Sequence, residues 1–257
     1  MSPKKIKVIV LSAAAVLLLI VGAVTTVLES PPNVSDEDTA AIAEPTIPRS
    51  HHIEGVKATL QETLKAGCET HACVSLLRYL GYDIDEFQFA DNYLDCHYVY
   101  DDEATGQKYG PDMNSGFAGT AYAGWGIYAP AMAKCMNNYL KAVKTDRTAT
   151  VIENTTLDEL CDRYIDRDIP VMIWATTDMQ EPVEWDAWIV NYVDENAKYK
   201  EGDTFTWMLH EHCLVLCGYD ESDYYFSDSV VGGISHFGRA LSEQRYEQLG
   251  MQAIVVQ

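Results

Sequence analysis

The spacing of hydrophobic residues changes near Asp168, and this change constrains the fold more than any other feature of the chain. Before this point, apolar side chains recur at helical intervals, as at Ala72 and Leu76. After it, short apolar runs such as 170–175 and 212–218 are typical of buried strands. Helices first and strands later predict an α+β domain, in which an N-terminal helical part packs on a C-terminal antiparallel sheet.

The same patterns predict individual elements. We expect helices over 68–80, 85–94, 129–143 and from Thr156 to before Asp168, and strands over 170–175, 212–218, 224–227 and 254–256. The fourth helix begins at a capping-box pattern, in which a threonine is followed three residues later by a glutamate. The stretch 95–125, rich in glycine, tyrosine and aspartate, indicates a long loop.

An uncharged apolar run extends from Val8 to Leu28, directly after three lysines. As a helix it would reach roughly 31 Å, at about 1.5 Å per residue, which is enough to cross a bilayer. The lysines before the run favour a cytoplasmic amino terminus. We therefore predict a single-pass membrane anchor over residues 1–28 that holds the rest of the chain outside the cytoplasm. A cleaved signal peptide, which would give a secreted protein, is the alternative.

The segment 29–50 is acidic and contains four prolines, which is typical of an extended linker. The folded domain is predicted over 51–257. The chain has 39 acidic and 18 basic residues and a formal net charge of −21. This charge repels phosphates and excludes non-specific nucleic-acid binding, so we expect no nucleic-acid partner. Nothing in the sequence sets an oligomeric state.

The chain has seven cysteines and no Cys-x-x-Cys motif. They are Cys68, Cys73, Cys96, Cys135, Cys161, Cys213 and Cys217. If Cys68 stays a thiol, the other six could pair outside the membrane without needing to do so. A metal site built from His210, His212, Cys213 and Cys217 lacks a recognised zinc spacing. No phosphate loop or dinucleotide fingerprint is present. We therefore expect neither metal nor cofactor.

A Gly67-Cys68 step opens the first predicted helix. The partial positive charge at a helix amino terminus favours a thiolate, and Gly67 would allow a substrate to approach closely. The plain alternative is that Cys68 is a small buried apolar residue. A histidine elsewhere could stabilise the thiolate, and His212 lies at the mouth of a predicted strand. His210, two residues earlier, competes with it on spacing alone.

Two further residues complete a possible site. Asp228 follows the next predicted strand and could fix the orientation of the imidazole, although aspartate at a strand end is often a turn former. Gln61 precedes Cys68 by seven residues and could donate its amide to an oxyanion, although a solvent-facing role is equally ordinary. None of these residues alone indicates a catalytic site, but their occurrence together in this order is a more specific signal.

Five stretches together resemble a known family. They are Gly67-Cys68-Glu69, the helix end Tyr79-Leu80-Gly81-Tyr82, and the segments 124–130, 211–220 and 224–228. The chain resembles the cysteine peptidases of family thirty-nine, the double-glycine leader peptidase-like group of the papain-like superfamily, and within it the stand-alone bacterial branch. The resemblance extends from about residue 56 to the carboxyl terminus.

The resemblance implies a papain-like fold with Cys68 as nucleophile, His212 as base and acid, Asp228 as orienting residue and Gln61 in the oxyanion hole. It favours His212 over His210, because His212 opens the apolar strand that ends in Gly-Tyr-Asp. The chain departs from the family where Asp228 is followed by a serine and not the common proline, and where Gln61 lacks a proline-rich run after it.

The expected function is therefore that of an extracytoplasmic thiol-dependent peptidase with a peptide or protein substrate. Two alternatives keep the same fold. One is a catalytically silent binding module tethered to the cell surface. The other is a cell-wall amidase or acyltransferase, which would share the thioester chemistry of the first half-reaction.

Overall fold

The computed structural model describes residues 49–257. The membrane anchor predicted over residues 1–28 and nearly all of the linker predicted over residues 29–50 lie outside the described residues. Within 49–257, no helix combines the length and the apolar character that crossing a bilayer requires.

Five α-helices and fourteen strands form the described part of the chain. The helices are α1 (Cys68–Tyr79), α2 (Glu86–Tyr93), α3 (Ala129–Ala142), α4 (Leu157–Arg163) and α5 (Arg239–Gln248). The strands are β1 (His51–His52), β2 (Cys96–His97), β3 (Tyr100–Asp102), β4 (Gln107–Pro111), β5 (Phe117–Thr120), β6 (Ala123–Gly126), β7 (Ala149–Glu153), β8 (Val171–Thr176), β9 (Val183–Tyr192), β10 (Thr204–Leu209), β11 (Glu211–Tyr219), β12 (Asp223–Asp228), β13 (Gly233–Gly238) and β14 (Gln252–Val256).

A seven-stranded sheet forms the centre of the domain. Its order is β13-β12-β11-β8-β14-β7, with β1 paired to the end of β11, and every pair is antiparallel. All residues of β8 and β11 are buried, which explains why both read as continuous apolar runs. The predicted α+β class with an antiparallel C-terminal sheet is confirmed. The carboxyl-terminal strand β14 lies inside the sheet, between β8 and β7.

Helix α1 lies on this sheet and carries the first part of the site. Its residues from Cys68 to Leu77 are all buried. Burial of leucines such as Leu76 and Leu77 contributes about 1.5–3 kcal/mol each. A buried hydrogen bond of 3.0 Å between the hydroxyls of Ser75 and Ser227 ties the helix to β12. These contacts fix where the first turn of α1 meets the sheet.

The four predicted helices are confirmed. Asp85 caps α2 by accepting a hydrogen bond from the Gln88 N–H, and the side chains of Thr156 and Glu159 form the predicted capping box of α4. The chain continues after α4 into a short 3₁₀ turn that ends at Asp168, as the sequence indicates.

The long loop predicted over 95–125 is wrong. This stretch contains β2 to β6, which form a three-stranded sheet, β2-β5-β6, and half of a four-stranded sheet, β10-β9-β4-β3. The strands are short, two to five residues each, and rich in glycine, so they lack the alternation that marks a strand. One of them, β4, pairs with β9, which lies far along the sequence.

Candidate active site

Cys68 is the first residue of α1, and Gly67 precedes it as the N-cap without a side-chain capping hydrogen bond. A Cβ at Gly67 would lie 2.7 Å from Leu64 Cβ, which is closer than real side chains allow. The glycine is therefore required by the tight packing of the loop before the helix. That Gly67 also allows a substrate to approach closely stays a prediction.

His212 and Asp228 form a buried pair on neighbouring strands. His212 Nε2 lies 3.0 Å from Asp228 Oδ1, and the residues are only 2% and 1% exposed. Asp228 also accepts hydrogen bonds from the Val230 N–H at 2.9 Å and the Ser235 hydroxyl at 3.0 Å. Burial alone would raise the pKa of Asp228, but these three donors and the imidazole charge hold it below its ordinary value.

His210 is not the partner of Asp228. It lies in the turn between β10 and β11, with a φ of 74°, and its Nδ1 is 3.0 Å from the carbonyl oxygen of Glu181. The structure thus pairs Asp228 with His212, the histidine that the resemblance implied. Within residues 49–257, the set of His210, His212, Cys213 and Cys217 is not brought together as metal ligands.

Cys68 and His212 line one cleft of about 480 Å³. Gln61 lines it as well, so the four residues predicted from the sequence occupy one region: three at the cleft and Asp228 behind His212. The walls of the cleft also include Trp125 of β6 and Trp207 of β10. These walls belong to strands that the sequence did not predict.

Gln61 is held in place by its neighbours. Its Nε2 donates to the carbonyl oxygens of Leu64 at 2.9 Å and Lys65 at 3.1 Å, and its Oε1 accepts from the hydroxyl of Ser229 at 2.9 Å. Ser229, which stands where the family commonly has a proline, is therefore a contact of Gln61. The role of Gln61 as an oxyanion donor stays a prediction, because its amide would have to exchange one of these carbonyl partners.

Two glutamates beside the site were not predicted. Glu69 Oε2 accepts a hydrogen bond of 3.3 Å from the Cys68 thiol, and Glu69 Oε1 accepts one of 2.8 Å from the Ile127 N–H. Glu211 Oε1 is buried and has no hydrogen-bond partner among the described residues. A signal was present in the sequence, since Glu69 follows Cys68 directly and Glu211 precedes His212 directly.

The surroundings of Cys68 favour the neutral thiol. Burial, followed by the charges of Glu69 and Glu211, raises the pKa of the thiol well above its ordinary value. The helix amino terminus was expected to favour the thiolate, and in this structure the two carboxyls oppose it. All seven cysteines fall within residues 49–257, and each is a free thiol there.

Comparisons with known proteins bear on the family and the fold. A model of the Peptidase_C39-like family matches residues 53–254. The uncharacterised protein YvpB of Bacillus subtilis is 23% identical over 231 residues, which cover 87% of this chain and 84% of YvpB. A crystal structure from Bacillus anthracis, described as that of a C39-like peptidase, superposes with a TM-score of 0.66 at 22% identity, over 81% of this chain and 98% of that one.

Proposed function

Because the chain belongs to the Peptidase_C39-like family, within the papain-like superfamily, we propose that it is a cysteine peptidase with Cys68 as its nucleophile. The observation that carries the proposal is the buried pair of His212 and Asp228 at the cleft that Cys68 lines. A cysteine, a histidine and an orienting carboxylate are the groups that thiol-dependent acyl transfer needs.

The proposed reaction has two halves. The Cys68 sulfur forms a bond to the carbonyl carbon of the substrate, and His212 takes the thiol proton and gives it to the leaving amine as the C–N bond breaks. Water then attacks the thioester, which releases the acid and restores the thiol. Asp228, bound to Nε2, leaves Nδ1 of His212 for this proton transfer.

The resting structure requires one exchange of partners before attack. The Cys68 thiol donates to Glu69 and not to His212. Rotation of the thiol hydrogen toward the imidazole would start the reaction, with Gln61 proposed as a donor to the oxyanion. A peptide is proposed as the substrate on the strength of the family.

The proposed setting is outside the cytoplasm. Its support is the lysine-flanked apolar run from Val8 to Leu28, which suits a membrane anchor or a signal peptide.

A peptide library incubated with the full-length protein tests the proposal. We expect new peptide termini, detected by mass spectrometry, and we expect Cys68→Ala and His212→Ala to remove them. Cys73→Ala is the matched control, because Cys73 is a buried thiol of the same helix that does not line the cleft. This variant should retain cleavage.

Labelled water and an added amine separate the alternatives. A peptidase incorporates ¹⁸O from water into the new carboxyl group, whereas an acyltransferase forms an amide with the amine and little free acid. Cleavage that persists in Cys68→Ala would contradict the proposal. Folded wild-type protein that binds library peptides without cleaving any of them would favour the silent binding module.

A further inference from the structure

Two buried carboxyl groups meet beside the Cys68 thiol. Glu69 is the second residue of α1 and Glu211 is the first residue of β11. One oxygen of each carboxyl and the Cys68 sulfur all lie within 4.8 Å of one another. Gly126 closes over them, because a Cβ there would collide with Glu69 Oε1 and lie 3.3 Å from Glu211 Oε2. Its φ of 135° suits glycine, so no side chain separates the two carboxyls from this backbone.

The two carboxyls differ in their hydrogen bonds. Glu69 is fully buried and accepts from the Ile127 N–H and the Cys68 thiol. Glu211 is only 8% exposed, and its buried Oε1 has no donor among the described residues. A buried carboxylate without donors is costly, whereas a protonated carboxyl can itself donate. This asymmetry puts the negative charge on Glu69 and a proton on Glu211.

Among residues 49–257, no cationic side chain forms an ion pair with Glu69 or Glu211. The basic groups of the cleft, Lys65, His210 and His212, form no ion pair with either carboxyl. The other titratable neighbours are the thiol of Cys213 on β11 and the phenol of Tyr128 before α3, whose own pKa values are raised by burial and then by the carboxyls. Nothing around the pair supplies the positive charge that two carboxylates would need.

The pKa values agree with this geometry. Burial raises the pKa of Glu69 to about 7, in spite of its hydrogen bonds. Burial and then the Glu69 charge raise the pKa of Glu211 well above its ordinary value. Two interacting carboxyls at this separation lose their protons in two steps, so the pair retains one proton near neutral pH.

We propose that Glu69 and Glu211 share one proton and that this carboxyl pair governs how readily Cys68 ionises. With the proton present, the pair carries one negative charge. Loss of the proton places a second buried negative charge beside the sulfur, and this charge opposes the thiolate. The two glutamates are thus positioning residues that act through Cys68. A consequence for peptide cleavage rests on the proposed function, whereas the ionisation of Cys68 does not.

The first test follows iodoacetamide labelling of Cys68 against pH in the full-length protein, read by peptide mass mapping. At alkaline pH, where the pair loses its remaining proton, we expect the wild-type rate to rise by less than the usual tenfold per pH unit. Glu69→Gln should label about tenfold faster than wild type at pH 8, since one pKa unit changes the thiolate fraction tenfold. Glu211→Gln should do so at the more alkaline pH at which the wild-type pair has lost its remaining proton.

The matched control is Glu86→Gln, because Glu86 is buried to a similar degree on α2 but pairs with Arg78. Its profile should coincide with that of wild type. Profiles of both pair variants that match wild type would overturn the proposal. So would faster wild-type labelling on addition of a chelator, since a bound cation would then compensate the pair in place of a proton. Neither readout needs a substrate, so failure of the proposed peptidase activity is seen separately.

Infrared spectroscopy tests the shared proton directly and does not depend on the folding of a variant. Folded wild-type protein at pH 7 should show the C=O stretch of a protonated carboxyl. The band should persist in Glu86→Gln and disappear in the double variant Glu69→Gln/Glu211→Gln. Absence of the band from wild type at pH 7 would show that both carboxyls are ionised, which contradicts the proposal.

Discussion

The two sides of the candidate site place opposite electrostatics around one thiol. On one side, His212 and Asp228 are a complementary pair, and Asp228 accepts three hydrogen bonds. On the other side, Glu69 and Glu211 are a like-charged pair, and Glu211 Oε1 has no donor among the described residues. Both pairs are buried, so water screens neither of them.

One strand supplies both sides. Glu211 and His212 are successive residues of β11, and successive side chains of a strand point to opposite faces. The register of β11 against β8, in which Glu211 pairs with Thr176 and His212 with Ala175, fixes both positions together. The complementary pair holds an imidazole at the cleft, whereas the acidic pair disfavours a thiolate. The comparison teaches that the ionisation of Cys68 depends on the neighbouring carboxyls as well as on the family-like arrangement of Cys68 and His212.

The largest effect should come from breaking the complementary side. Asp228→Asn removes the charge that orients His212, so we expect cleavage of the fastest library peptide to fall about 10²- to 10⁴-fold. The control is Asp223→Asn at the start of β12, since Asp223 lies near the exposed His236 at 3.3 Å and does not line the cleft. It should change the rate by about twofold or less. Equal losses in both variants would mean that β12 is perturbed and that no orienting role exists.

The sequence was sufficient to predict Cys68, His212 and Asp228 and the elements that carry them. Strong periodicity predicted the elements that became α1, β11 and β12, and the order of motifs placed Cys68, His212 and Asp228 on them. These three residues belong to long or fully buried elements, for which local pattern and tertiary structure agree. Their positions could therefore be predicted without knowledge of the packing between elements.

The acidic side could not be predicted in the same way. Glu69 and Glu211 lie far apart in sequence. Their carboxyls are close in space because the first turn of α1 packs next to the start of β11. The cleft wall with Trp125 and Trp207 brings together β6 and β10, which lie far apart in the sequence and belong to different sheets. Such contacts follow from tertiary packing, which overrides weak local preferences.

The second largest effect should be on the free energy of unfolding, which Glu69 and Glu211 make dependent on pH. A carboxyl with a raised pKa in the folded state binds more protons there than in the unfolded chain, so stability falls as pH rises through the interval between the two pKa values. For Glu69 this interval runs from about 4.3 in the unfolded chain to about 7 in the folded protein. Across it we expect Glu69 to contribute a loss of about 3 kcal/mol in wild type. Glu211, whose pKa is also raised, adds to this loss when wild type is compared with the double variant Glu69→Gln/Glu211→Gln.

Chemical denaturation of both proteins between pH 4.5 and pH 8 measures this difference. The pKa of Asp228 is lowered, so its contribution to stability is lost only as pH falls below the ordinary carboxyl range, and it cancels between the two proteins. A stability difference that does not change with pH would show that Glu69 and Glu211 titrate normally in the folded state.

The smallest effect should appear at the edge of the cleft, where Gln61 belongs to neither pair. Ser229→Ala removes the hydroxyl that donates to Gln61 Oε1 at 2.9 Å, while the carbonyl of Leu64 still accepts from its amide. One hydrogen bond of about 0.5–1.5 kcal/mol corresponds to a fall of about two- to tenfold in peptide cleavage. Labelling of Cys68 should not change, because an oxyanion donor acts on the bound substrate and not on the free thiol. If Ser229→Ala slows labelling and cleavage equally, Ser229 belongs with the groups that control the nucleophile. If it slows neither, the proposed role of Gln61 in the oxyanion hole is contradicted.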